Sequence, residues 1–162
     1  MFTILLVCTG NTCRSPMAAG ILGRLIPREL SRKVKIKSAG VGAADGGLAS
    51  RNAIEVCKKE GIDISGHTSK KLTRQLVETA DLILVMQKMH MDRVQELCPA
   101  RTEHILLLTE LDEDPSAGTE EIADPCGGSL EVYEQCFTQI QRSLERGMKF
   151  LLELMKFKED SR

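Results

Sequence analysis

The sequence predicts a single three-layer α/β domain, a four-stranded parallel sheet with helices on both faces in a flavodoxin-like or Rossmann-like arrangement. Three observations carry this expectation. Four short apolar runs, at residues 3–7, 34–37, 81–86 and 104–108, alternate with segments of helical period. At 162 residues the chain is long enough to bury one full core. No internal repeat, linker or low-complexity stretch divides it.

The first run, Ile4-Leu5-Leu6-Val7, reads as a buried strand. The second alternates, with Val34 and Ile36 apolar, and suits an edge strand. Helical patterns cover about residues 16–31, 48–61, 72–79, 89–98 and 129–157. Ser129 is placed to cap the last of these. The domain therefore spans residues 1–157, and 158–162 are expected to fray. Right-handed crossovers in such a sheet put a ligand at the carboxyl end of the first strand. Cys8 stands at that end.

From Cys8 the chain continues Thr9-Gly10-Asn11-Thr12-Cys13-Arg14-Ser15-Pro16 and enters a helix. A loop that turns its N–H groups onto one anion needs left-handed backbone. Gly10 adopts it freely and Asn11 tolerates it. Residues 9–15 would then form an anion nest, with the helix N-terminus adding partial positive charge. Pro16 suits the first helical turn and Ser15 a cap. Arg14 can grip two phosphate oxygens with its planar fork. The same positive field favours the thiolate of Cys8, the form that attacks phosphorus. Ser15 can stabilise that sulfur as it leaves. These residues describe a cysteine-dependent phosphatase. Spacing alone would not: Cys136 and Arg142 are also six apart, but in a helical, glycine-free segment, and are read as coincidence.

Lys+Arg 22 against Asp+Glu 23 leaves a net charge of −1 and no basic patch, so a nucleic-acid partner is not expected. No apolar run reaches membrane-spanning length, and no charged leader precedes the first strand, so a cytoplasmic location is expected. The cysteines at 8, 13, 57, 98, 126 and 136 lack the paired doublets of a metal site. Cys57, Cys98 and Cys136 read as small core residues. Cys13 is close enough to Cys8 for a disulfide that would block the nucleophile reversibly, although loop packing explains it equally well.

Phosphate hydrolysis also needs an acid for the leaving group and a base for water. Asp114-Pro115 and Asp124-Pro125 both follow the fourth strand. Proline stiffens the chain beside each aspartate. Asp124 is favoured because its segment leads directly into the last helix. Asp114 sits between further acids in what reads as a solvated turn.

With these features in place, the chain resembles the low-molecular-weight protein tyrosine phosphatase family over nearly its whole length. The resemblance rests on Val7 to Pro16, Ser38-Ala39-Gly40, His67, Ala80 to Met86, and Asp124-Pro125. It implies Cys8 as nucleophile, Arg14 as phosphate clamp and Asp124 as general acid and base. It also implies Asn11, Ser15, Ser38 and His67 as a supporting hydrogen-bond network, a phosphorylated protein as substrate, and no metal or cofactor. Without the resemblance, His67 reads as a solvated loop residue. His90 and His104 read as surface residues.

Two departures bear on substrate. Tyrosine-directed members carry aromatic residues after the Asp-Pro pair, where this chain has Cys126 and Gly127. They also carry a bulky aliphatic residue where this chain has Thr12. Thr12 and the Asp124-Pro125-x-Gly127-Gly128-Ser129 pattern are similar to the bacterial protein arginine phosphatase branch, although Cys126 replaces that branch's aromatic. The stretch from Glu110 to Asp124 holds seven acids and no base. Near the mouth it would favour a cationic substrate; otherwise it is a solvated loop. Tyr133 is expected in core or helix-face packing. Two other classes fit less well. Thioredoxin-coupled arsenate reduction needs two further cysteines after the third strand, where Cys98 stands alone. A non-catalytic anion-binding module would not need every catalytic position filled.

Overall fold

In the computed structural model, which describes residues 1–101, 103–111 and 120–161, four parallel strands lie in the order β2–β1–β3–β4. β1 spans Phe2–Cys8, β2 Val34–Gly40, β3 Leu82–Val85 and β4 Ile105–Leu107. Alternate side chains enter opposite layers, as the strand period of two requires. Ile4, Leu6, Leu82 and Leu84 pack towards α1 (Arg14–Leu25), α2 (Arg51–Lys59) and α5 (Leu130–Asp160). Leu5, Val7, Ile83 and Val85 pack towards α3 (Arg74–Thr79) and α4 (Lys88–Leu97). Each of these fully buried aliphatic side chains contributes about 1.5–3 kcal/mol relative to exposure. β2 is an edge strand, as its alternating pattern predicts. Among the described residues no helix is long and apolar enough to cross a membrane.

Several element boundaries differ from the sequence expectation, those of the first, second and last helices among them. The first helix ends at Leu25, not near 31, because Pro27 drives Ile26 into extended backbone (φ −63°, ψ 124°). A separate 3-10 turn, Arg28–Leu30, follows. The second helix starts at Arg51, after Ser50 caps the N–H of Ala53 at 3.4 Å. Leu48, expected inside it, instead bridges to Thr68. The last helix continues through Asp160, past the expected end at 157 and into the tail 158–162 that was expected to fray. Lys158 pairs with Asp81 and lies over the Phe2 ring, which ties that turn to the start of the sheet.

The sheet order fixes where a site can form. The chain steps from β1 to β2 on one side and then crosses β1 to reach β3 on the other. Connections therefore leave the ends of β1 and β3 towards opposite faces, and a crevice opens between them. Cys8, paired in register with Gly40, is the last residue of β1 at that crevice.

Candidate active site

The loop from Cys8 to Ser15 is held by Asn11. This residue takes the left-handed conformation (φ 54°); Gly10, expected to share that role, does not. Asn11 can do so because its buried side chain is bonded at both ends. Its amide nitrogen donates to Ser15 Oγ at 2.7 Å, and its Oδ1 accepts the Lys70 N–H at 2.8 Å. Its carbonyl is 2.7 Å from His67 Nε2, so His67 supports the loop rather than standing in solvent. Gly40 allows the close approach of β2. A Cβ there would lie 2.4 Å from the Thr9 carbonyl oxygen and 2.9 Å from the Asn11 nitrogen.

The Cys8 sulfur is buried and receives the Asn11 N–H at 3.2 Å, with Ser15 Oγ at 2.9 Å. Because Ser15 Oγ accepts from Asn11, its own hydrogen is left to point at the sulfur. Ser15 is therefore not the helix cap expected from the sequence. α1 begins at Arg14, with Cys13 at the cap position and no side-chain cap. Among the described residues, the N–H groups of Gly10, Thr12, Cys13, Arg14 and Ser15 meet no protein acceptor. Five unpaired N–H groups at a helix head form an anion site.

Arg14 is buried to 1% exposure and is held by segments distant in sequence. Nη1 donates to Gln87 Oε1 at 2.6 Å and to the Ile122 carbonyl at 2.8 Å. Nη2 donates to Thr9 Oγ1 at 3.3 Å and lies 3.6 Å from Asp124 Oδ2. Nε is buried with no partner. A buried guanidinium nitrogen without an acceptor is costly unless an anion completes it.

Asp124 is half-exposed, and its Oδ1 accepts the Cys126 N–H at 3.1 Å. Ile122 N–H donates to the Met86 carbonyl at 3.0 Å, anchoring the loop to the end of β3. Ser129 Oγ accepts the Val132 N–H at 3.4 Å, the cap expected for α5. The rival pair Asp114-Pro115 lies outside the described residues. Of the acidic stretch, Glu110 accepts the Leu107 N–H and Glu121 the Lys88 N–H, so two of its carboxylates serve the backbone.

The Cys13 thiol is 3.3 Å from Ser50 Oγ and 3.3 Å from the Tyr133 hydroxyl. Burial first, then the bond to Cys13, pushes Tyr133 up to about 12, so it remains a phenol. Burial likewise raises Cys57 and Cys136 to about 12; these thiols and Cys98 are core residues, as expected. Thr12 is partly buried beside Cys13, and Cys126 is exposed. Ser38 departs from the expected network. It pairs with Leu6, two residues short of Cys8, and among the described residues its hydroxyl makes none of these bonds.

His90 overturns its reading as a surface residue. It is fully buried, with Nε2 2.8 Å from Thr9 Oγ1 and Nδ1 accepting the Gln87 N–H at 3.1 Å. Burial first, then the charge of Arg14, holds it down to about 4. His104 is exposed, as expected. One sequence signal could have marked Gln87 and His90: they open the helix directly after β3, on the side of the sheet where ligands bind.

Residues 3–159 match the family described as low molecular weight phosphotyrosine protein phosphatase. The chain belongs to this family. It is 41% identical over 143 residues to a probable low molecular weight protein-tyrosine-phosphatase, EpsP, of Ralstonia nicotianae, covering 88% of this chain and 91% of the relative. The solved YwlE arginine phosphatase from Geobacillus stearothermophilus superposes with a TM-score of 0.83 at 35% identity, covering 96% of this chain and 97% of that one. A YwlE arginine phosphatase mutant solved with a phosphorylated active site serine superposes with a TM-score of 0.81 at 31% identity, covering 94% and 96%. The chain is thus a low-molecular-weight protein phosphatase that transfers phosphoryl groups through cysteine.

Proposed function

We propose that Cys8, Arg14 and Asp124 hydrolyse phosphorylated protein side chains, phosphoarginine in preference to phosphotyrosine. The observation that carries the assignment is the buried, unpartnered Nε of Arg14 at the head of a helix whose first N–H groups are also unpaired. A phosphoryl group bound there completes both. The Cys8 thiolate attacks phosphorus while the bond to the leaving nitrogen or oxygen breaks, and the Asp124 carboxylic acid gives that atom its proton. Water then attacks the phosphocysteine. Asp124, now a carboxylate, takes the water's proton, and phosphate and the Cys8 thiolate separate. Ser15 and the Asn11 N–H stabilise the sulfur in both steps. The substrate pool for this chemistry is cytoplasmic phosphoprotein.

The arginine preference is supported by what surrounds the mouth. Phe2 lies at the far end of β1, Phe137 is in the core, and Phe150 and Phe157 are on the last turns of α5. Tyr133 is buried and bonded to Cys13. None of these five aromatic residues can stack on a phenol ring at Cys8, whereas Thr12 offers a hydroxyl to a guanidinium. The phosphotyrosine reading is favoured by the 41% identity to a protein named for tyrosine. Hydrolysis of phosphoarginine and phosphotyrosine peptides side by side, with Cys8→Ser as blank, separates the two. The expected result is a higher kcat/KM on phosphoarginine, moved towards phosphotyrosine by Thr12→Ile. A preference for phosphotyrosine in the wild type overturns the arginine assignment.

A further inference from the structure

A buried guanidinium has five donors, and its plane is set by whichever acceptors meet them. For Arg14 two of those acceptors, Gln87 Oε1 and Thr9 Oγ1, belong to residues that His90 also bonds. His90 Nδ1 accepts the Gln87 N–H, so the neutral ring carries its hydrogen on Nε2 and donates it to Thr9 Oγ1. Thr9 Oγ1 then receives one hydrogen from His90 and one from Arg14 Nη2, which uses both of its lone pairs. A fully buried polar ring is costly unless both nitrogens are satisfied, and here both are, by partners 81 and 3 residues away.

We propose that His90 is a positioning residue: through Thr9 and Gln87 it holds the Arg14 guanidinium in the plane that grips phosphate, without touching the phosphate itself. This rests on the reading of Arg14 as the phosphate clamp. The competing role is a simple helix cap, since the bond from the Gln87 N–H closes the first turn of α4. The two roles use different ring nitrogens, and two substitutions separate them. Asparagine places an acceptor near Nδ1 and keeps the cap but falls short of Thr9. Glutamine reaches the position of Nε2 and can donate to Thr9.

The experiment measures kcat, KM and the competitive inhibition constant of inorganic phosphate for wild type, His90→Asn, His90→Gln, Thr9→Val, the His90→Asn/Thr9→Val double variant and Arg14→Lys. Circular dichroism and urea midpoints verify that each variant is folded. His90→Asn and Thr9→Val are each expected to lower kcat/KM roughly 10- to 100-fold, the scale on which misplaced catalytic groups act. Both should weaken phosphate inhibition, and the double variant should lose little more than either single one. His90→Gln should recover most of the phosphate affinity. Wild-type phosphate inhibition in folded His90→Asn, with Arg14→Lys weakened, overturns the relay and leaves the clamp reading standing. Undiminished phosphate inhibition in Arg14→Lys overturns both.

Discussion

Replacing Asn11 tests how the nucleophile loop is held. In Asn11→Ala the Lys70 N–H loses its acceptor and Ser15 Oγ loses its donor, in a fully buried position. An unsatisfied buried donor costs about 1–3 kcal/mol, and the lost second bond adds about 1 kcal/mol. Alanine must also keep the left-handed backbone (φ 54°), which costs about 1 kcal/mol. The total is about 3–5 kcal/mol, a large share of a typical domain's stability. Asn11→Gly removes only the backbone cost and should recover about 1 kcal/mol of it. Asn11→Asp keeps the acceptor for Lys70 but loses the donor to Ser15 and sets a negative charge near the Cys8 sulfur. The cost of the buried charge offsets the retained bond, so it should be no more stable than Asn11→Ala and still slow. Urea midpoints at constant m-value give the stabilities, and kcat on one phosphopeptide gives the rates. In all three variants Ser15 is no longer oriented, and kcat should fall about tenfold or more. Losses below about 1 kcal/mol in both Asn11→Ala and Asn11→Gly would refute the argument that these buried bonds hold the loop.

Gly40→Ala brings a Cβ to 2.4 Å from the Thr9 carbonyl oxygen, and backbone must move to accept it. Stability should fall by about 1–3 kcal/mol and kcat/KM by roughly 100-fold, read from urea midpoints and initial rates; unchanged activity would sink the role of this contact. His90 gives stability a pH dependence. Its folded value of about 4 lies below the ordinary 6.5, through burial and Arg14, with Glu121 and Asp124 opposing. Between those pH values the unfolded chain binds a proton that the folded one refuses. Stability therefore falls as pH drops through that window, by about 3 kcal/mol in all, and levels below it. Urea midpoints from pH 7.5 to 4 should lose this component in His90→Gln, and an identical slope in the variant would contradict the linkage. Asp124→Asn should lower kcat most on substrates with poor leaving groups, whereas equal loss on activated and unactivated aryl phosphates would argue against Asp124 as the acid.

Much of the fold is legible in the chain because its signals are local. Each strand is a short apolar run, and β2 shows its edge position by alternating. The nucleophile loop is legible for the same reason: Cys8, Asn11, Arg14 and Ser15 are contiguous and precede a helix. Errors arise where one residue's conformation depends on a neighbour or on packing. Pro27 cuts the first helix short, a local effect that apolar periodicity alone overlooks. Ser15 leaves its cap role because Asn11 and Cys8 engage its hydroxyl. Gly10 is free to take a left-handed backbone, but the position that needs it is the one whose side chain Lys70 and Ser15 hold. His90 reads as a surface residue because a polar side chain at a helix start normally faces water.

By itself, then, the amino-acid order determined the layer architecture, the place of Cys8 at a strand end, and which polar residues stand together in the loop that follows it. These follow from hydrophobic periodicity and from residues within one loop, which need no knowledge of distant contacts. The setting of those groups was decided only by tertiary structure. Arg14 is oriented by Gln87 and Ile122, 73 and 108 residues away, Thr9 by His90, 81 away, and Cys13 by Tyr133, 120 away. Whether a polar side chain is solvated or buried and bonded depends on which elements the sheet order brings against it. That packing, not the residue's own chemistry, turns a histidine that reads as solvated into a buried partner of the loop that follows β1.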